Sequence, residues 1–156
     1  MRSIGAPFNR LHYLGPLFLR LGVGSVFAVH GWQKFDGGVA NFAKVLAGLD
    51  VPAPEIVAWL QTMAEGLGGL LLILGLLTRY VTLPLIATMI GAILLVKVNV
   101  GFVVPGKSGA EIDVALLAGL LCLLFIGPGR ISLDAMMGLE GGSAHLGSDR
   151  RTRVDA

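Results

Sequence analysis

Four long apolar stretches alternate with short polar ones along the chain. They run from about Leu14 to Phe35, Pro54 to Thr78, Tyr80 to Val98 and Glu111 to Ile126. Each stretch matches or approaches the roughly 20 helical residues that cross a hydrocarbon core, so the pattern predicts four transmembrane helices. The short link "TRY" between the second and third stretches predicts an antiparallel pair.

A shorter amphipathic stretch lies between the first two predicted helices. Its apolar residues recur at steps of three and four, at Val39, Phe42, Val45, Leu46 and Leu49, which favours a short helix in the membrane interface. The predicted fold is therefore all-α, a four-transmembrane-helix bundle with a short interfacial helix between helices 1 and 2. We expect residues 14–135 to form this membrane domain, after an N-terminal cytoplasmic segment (1–13) and before a flexible tail (136–156) rich in Gly, Ser and charge.

Composition supports a membrane protein and excludes several other classes. Hydrophobic residues make up 54% of the chain and charged residues 14%, against about 25% charged residues in soluble domains. The net charge of +2 comes from scattered basic residues, which excludes a nucleic-acid footprint. The single cysteine, Cys122, excludes an internal disulfide and a CxxC redox pair.

The basic residues predict the orientation of the helices. Cytoplasmic loops of membrane proteins carry an excess of Lys and Arg. The side with both termini and the "TRY" turn carries Arg2, Arg10, Arg79, Arg130, Arg150, Arg151 and Arg153, whereas the other side carries Lys34, Lys44, Lys97 and Lys107. We therefore expect a multi-pass protein of the bacterial cytoplasmic (inner) membrane with both termini in the cytoplasm.

Charged residues inside the apolar stretches need partners. A charge at mid-bilayer costs about 2.5–3.5 kcal/mol and rarely faces lipid. With a rise of about 1.5 Å per residue, Glu65 lies near the middle of its helix. Arg20 lies roughly 6–7 Å to one side of the centre of the first helix, and His30 roughly 8 Å to the other. The sequence therefore predicts that Glu65 faces the bundle interior and contacts Arg20 or His30.

A second polar group collects on the side opposite the termini, where Lys97 and Asn99 end the third helix and Glu111 and Asp113 begin the fourth. Ordinary interfacial caps would also explain Lys97, Glu111 and Asp113. A purely structural ion pair would likewise explain Arg20 and Glu65. The functional hypothesis is one polar pocket roofed by the segment around Phe42, with the glycine-lined walls of the first two helices admitting a flat ring. Its predicted lining is His30, Lys34, Glu65, Glu111 and Asp113. The spacing of the histidines and acids offers no set of metal ligands, so we predict no metal site.

Four stretches together resemble a known family. They are "RLGVGSVFAVHGWQKF", "FAKVLAGLDVPAPEIVAWLQTMAEGLGGLLLILGLLTRY", "KVNVGF" and "GPGRISLDA", and they are similar to the DoxX family of small bacterial membrane proteins. The resemblance implies four transmembrane helices, no established cofactor and kinship with a thiosulfate:quinone oxidoreductase subunit, and some members are linked to a membrane complex for thiol and superoxide stress. The family's motif positions fall on Arg20, His30, Gly31, Lys34, Glu65 and Asn99. Lys97 departs from the histidine expected in many relatives.

Two functions stay open from the sequence. The first is an oxidoreductase-associated subunit that interacts with membrane quinone or with a redox partner complex. In it, His30 and Glu65 are the catalytic candidates, as proton donors, and the binding candidates are Arg20, Lys34, Asn99, Glu111 and Asp113. Quinone is then the expected cofactor, none is covalently bound, and the expected partners are lipid, a redox protein or further copies of the chain. The alternative is a small transporter or membrane scaffold without catalytic activity.

Overall fold

The computed structural model describes residues 11–98, 101–103 and 109–139. Within these ranges the regular elements are helices, and there is no strand. A 3-10 turn, His12–Leu14, leads into the first helix. The helices are α1 (Gly15–Asp36), α2 (Val39–Ala47), α3 (Pro54–Leu74), α4 (Thr78–Ala92, continued by a π-helical turn, Ile93–Lys97), α5 (Glu111–Ile126) and α6 (Leu133–Met136). Asn99 and the segments 1–10 and 140–156, which hold most of the predicted cytoplasmic segment and tail, lie outside the described residues.

Local chemistry sets the ends of α3. Pro54 occupies the first turn, where its missing N–H costs nothing. Gly75 ends the helix in the left-handed conformation, with φ of 68°, and Leu76 N donates to Leu71 O at 2.9 Å, as in a Schellman motif. Leu77 is also left-handed. The helix therefore ends at Leu74, four residues before the predicted end at Thr78.

Three helical stretches are long and apolar enough to cross a membrane: His12–Asp36, Pro54–Leu74 and Thr78–Lys97. The prediction of an all-helical membrane protein is confirmed. The predicted fourth crossing coincides with α5, whose 16 residues extend about 24 Å. This helix packs against α1 and α4, and its passage through the membrane stays a prediction.

The short helix α2 forms where the apolar pattern predicted it. Its buried residues Val39, Ala43 and Leu46 pack around Ala58 of α3. A separate apolar cluster inside the bundle includes the fully buried Leu85, Leu120 and Leu123. That α2 lies in the membrane interface stays a prediction, because the contacts fix its place on the bundle and not in the bilayer.

Glycines let α1 and α3 pack backbone to backbone. A Cβ atom at Gly24 would lie 2.8 Å from Gly69 O, and one at Gly31 would overlap the backbone of Gly66. The predicted glycine stripes therefore do face each other. The expectation that they admit a flat ring is wrong, because the opposing backbones leave no space between these two helices.

Candidate functional site

A buried ion pair joins α1 to α3. Lys34 Nζ lies 2.5 Å from both carboxylate oxygens of Glu65, and Gln61 Nε2 donates to Glu65 Oε1 at 3.1 Å. The Glu65 side chain is 2% exposed and that of Lys34 is 21% exposed. Glu65 thus faces the interior, as predicted, with three hydrogen bonds to its carboxylate.

The predicted partners of Glu65 are wrong. Gly31 marks the side of α1 that touches α3, and Lys34, one turn further on, projects from the same side. His30 precedes Gly31 by one residue, so its side chain is turned about 100° around the helix from that side. It is exposed. Arg20 lies near the other end of α1.

Phe42 covers this ion pair from α2. The Lys34 ammonium lies 4.7 Å from the centre of the Phe42 ring, within the range of a cation–π contact. The predicted position of Phe42 above the polar residues is therefore confirmed for Lys34. The Lys34 ammonium thus contacts both the Glu65 carboxylate and the Phe42 ring.

A second charged group lies where α4 and α5 meet. Lys97 Nζ is 4.0 Å from Asp113 Oδ2, and the π-helical turn Ile93–Lys97 carries this lysine. Such turns change the direction in which a helix presents its side chains, and they recur at functional sites. Asp113 is also close enough to His30, Glu111 and Glu65 to interact with their charges.

One oxygen of each of two carboxylates in this group lacks a hydrogen-bond donor. Glu111 Oε2 and Asp113 Oδ2 are buried and accept no hydrogen bond. A buried polar atom without a partner costs about 1–3 kcal/mol, so such atoms are rare unless something else satisfies them. The group thus retains unused acceptor capacity. Among the described residues, no cluster of three His, Cys, Asp or Glu could hold a metal ion.

The predicted pocket residues gather at one end of the bundle. We call this end the α2 face: the side on which α1 ends, α2 lies and α3 and α5 begin. Lys34 touches Glu65, and Asp113 links them electrostatically to His30 and Glu111. That all five line a single pocket stays a prediction.

An apolar groove runs between α1 and α5. Its volume is about 610 Å³. Glu111 is the charged member of its lining, at the α2-face end of α5. A Cβ atom added at Gly22 would meet nothing within 4 Å, so the wall is flat there. The lining consists of Phe18, Leu19, Gly22, Val23, Val26, Glu111, Ile112, Ala115 and Leu116.

Arg20 belongs to a different cluster, at the opposite end, which we call the terminal face. Its side chain is 1% exposed, and Nη2 donates to Ile131 O at 2.5 Å. Nε and Nη1 are buried without hydrogen-bond partners, the charge of Asp134 is nearby, and Gly75 packs directly against the guanidinium. Arg20 therefore lies apart from the predicted binding residues Lys34, Glu111 and Asp113.

Asp134, which the sequence reasoning missed, organises the terminal face. Its carboxylate accepts from Leu77 N at 2.7 Å and Thr78 N at 2.9 Å, and its own N–H donates to Gly75 O at 2.9 Å. It thus caps α4 from 57 residues away. The N-cap residue of α4, Leu77, supplies no side-chain acceptor, so that helix needs an acceptor from elsewhere. The sequence did not show this need, because it predicted the helix to begin near Tyr80.

Comparison with known proteins places these features in a family. The DoxX family model matches residues 15–98. An uncharacterized membrane protein of Mycobacterium tuberculosis (strain ATCC 25618 / H37Rv) is 40% identical over 140 residues, covering 80% of this chain and 83% of that protein. "Putative oxidoreductase CatD" of Bacillus subtilis (strain 168) is 34% identical over 128 residues, covering 81% of this chain and 89% of that protein. No solved structure matches the chain significantly.

Proposed function

This chain belongs to the DoxX family of membrane proteins, and from that premise we propose that it is a quinone-interacting subunit of a membrane oxidoreductase. The name of the Bacillus subtilis relative supports the reaction class. The observation that carries the proposal is the apolar groove between α1 and α5, whose lining includes one carboxylate, that of Glu111.

The groove suits a quinone head group in size and in chemistry. Ligand pockets typically enclose about 300–1,000 Å³ and combine apolar walls with a few polar groups. Gly22 and Val23 offer a flat apolar surface, and Glu111 offers one polar contact at its end. Bound there, a quinone would supply two-electron, two-proton redox chemistry.

Within this proposal the three carboxylates, Glu65, Glu111 and Asp113, have different roles. Glu65 accepts hydrogen bonds from Lys34 and Gln61, so we assign it to pair with the Lys34 ammonium and hold it in place. Glu111 lines the groove, and we assign it to hold a proton beside the ring. Asp113 interacts electrostatically with both Glu111 and the exposed His30, so we assign Asp113 and His30 to exchange that proton with the aqueous side.

The chain needs a redox partner in this account, because its single cysteine forms no redox pair of its own. We propose four crossings of a bacterial cytoplasmic membrane, with the terminal face in the cytoplasm, in accord with the excess of arginine there. A cysteine introduced at Ser108 in a Cys122→Ser background tests this topology. It should react with an impermeant maleimide from outside the cell, and reaction from the cytoplasmic side alone would overturn the orientation.

Binding of a short-chain quinone to the protein in nanodiscs tests the function. Gly22→Leu should fill the groove and weaken binding by about tenfold or more, equivalent to ~1.4 kcal/mol. The matched control is Gly91→Leu, since a Cβ there also meets nothing within 4 Å and Gly91 is not in the groove lining. It should leave binding unchanged.

Glu111→Gln tests the polar contact separately. Glutamine keeps the size of the side chain but exchanges no carboxyl proton, so quinone-linked turnover should fall while quinone stays bound. His30→Ala should slow quinone-linked proton uptake while preserving affinity. If the folded wild-type protein binds no quinone, or if both leucine variants bind as it does, the scaffold or transporter alternative replaces the proposal.

A further inference from the structure

A second cavity lies at the α2 face, and its lining shares no residue with the groove or with the Lys34–Glu65 pair. Its volume is about 310 Å³, and it lies between the end of α1, the inner side of α2 and the first turns of α3. Its lining consists of Phe35, Gly38, Val39, Ala40, Ala43, Glu55 and Trp59. Two aromatic side chains from different helices thus share one small cavity with one carboxylate.

No counter-charge lies against this carboxylate in the part of the chain that the structure describes. Glu55 makes no ion pair and accepts no side-chain hydrogen bond among the described residues. Trp59 is one turn further along α3, on the same side of the helix, and Phe35 reaches in from α1. Asp50, between α2 and α3, is a second exposed carboxylate on this face, Lys44 is exposed on α2, and Lys34 is already paired with Glu65. The cavity and its surroundings therefore favour a positive ligand.

Aromatic faces beside a carboxylate are the usual means of binding an organic ammonium group, whose charge is attracted to the ring and whose carbon atoms pack on it. The chain already uses this chemistry nearby, where the Lys34 ammonium lies 4.7 Å from the Phe42 ring centre. A cavity of about 310 Å³ is at the lower end of the range for ligand pockets. It fits a compact head group and excludes a large ligand.

We infer that this cavity binds the ammonium group of a phospholipid head group, of the ethanolamine type, with Glu55 as its counter-ion and Phe35 and Trp59 as its walls. The source is a lipid because the cavity lies at the helix ends beside Trp59 and Phe35. These side chains are 51% and 53% exposed, as expected of aromatic residues that meet lipid head groups at a membrane surface. The bound lipid would hold α2 against α3.

Quenching of Trp59 by brominated lipids tests this site. The chain has two tryptophans, so Trp32→Phe leaves Trp59 as the single reporter. In nanodiscs, brominated phosphatidylethanolamine should quench Trp59 with an apparent affinity about threefold higher than brominated phosphatidylglycerol, a difference expected of one half-exposed cation–π contact.

Two substitutions decide whether the cavity is responsible. Glu55→Gln, at an exposed position, should abolish the preference, and the matched control Asp36→Asn should preserve it. Equal quenching by the two lipids, or a preference that survives Glu55→Gln, would overturn the inference, because Trp59 would then be an ordinary interfacial anchor. Displacement by millimolar free ethanolamine would overturn the lipid as the source. None of these outcomes depends on quinone binding in the groove.

Discussion

Replacing Asp134 with alanine should destabilise the fold more than any other loss of a single carboxylate at the terminal face. The substitution leaves Leu77 N and Thr78 N without their acceptors, and Thr78 is fully buried. An unsatisfied buried donor costs about 1–3 kcal/mol, and loss of an N-cap residue costs about 0.5–2 kcal/mol in measured cases. Arg20 also loses the nearest opposite charge, at a buried position.

We therefore expect Asp134→Ala to lower the free energy of unfolding by about 3 kcal/mol. Asp134→Asn keeps one side-chain oxygen as an acceptor and should cost about half as much. The assay is unfolding in mixed micelles of rising SDS content, followed by helical circular dichroism. Asp36→Ala removes an exposed carboxylate as the control and should stay within about 0.5 kcal/mol of wild type. A cost for Asp134→Ala equal to that of Asp36→Ala would refute the capping role.

Two further predictions use the same unfolding assay. Lys34→Met should lower the free energy of unfolding by about 3 kcal/mol, which is more than Glu65→Gln should. Loss of the lysine leaves a 2%-exposed carboxylate unpaired, whereas loss of the carboxylate leaves a 21%-exposed Lys34 that can still reach water. The reverse order would contradict the pairing. Gly31→Ala should cost about 3 kcal/mol, because its Cβ would overlap Gly66 and force α1 from α3. Gly91→Ala, in open space, should be neutral or slightly stabilising, and a similar result for Gly31→Ala would disprove the close contact.

The helices could be predicted because the apolar pattern is imposed by the membrane over long stretches. The fourth stretch was predicted to begin at Glu111, and α5 begins there, since acidic residues favour a helix N-terminus. The early end of α3 depends on Gly75 in the left-handed conformation. Gly75 is visible in the sequence, but glycine inside an apolar run also occurs within membrane helices.

The contacts between helices could be predicted only in part. The sequence identified Glu65 as an interior charge, and it placed Phe42 above the polar residues. It predicted Arg20 or His30 as the partner of Glu65 and not Lys34, because that choice depends on how α1 is rotated against α3 at Gly31. The link from Asp134 to Leu77 spans 57 residues, and no local pattern encodes a contact of that range.

The measurement that tests the central claim most directly is the quinone content of the purified protein. Lipids extracted from wild type, Gly22→Leu and Gly91→Leu, expressed and purified in parallel, are analysed by mass spectrometry. The account predicts quinone in amounts comparable with the protein for wild type and Gly91→Leu, and its loss from Gly22→Leu, whose added side chain occupies the groove beside Glu111. Equal quinone in all three samples, or none in the folded wild-type protein, would contradict it.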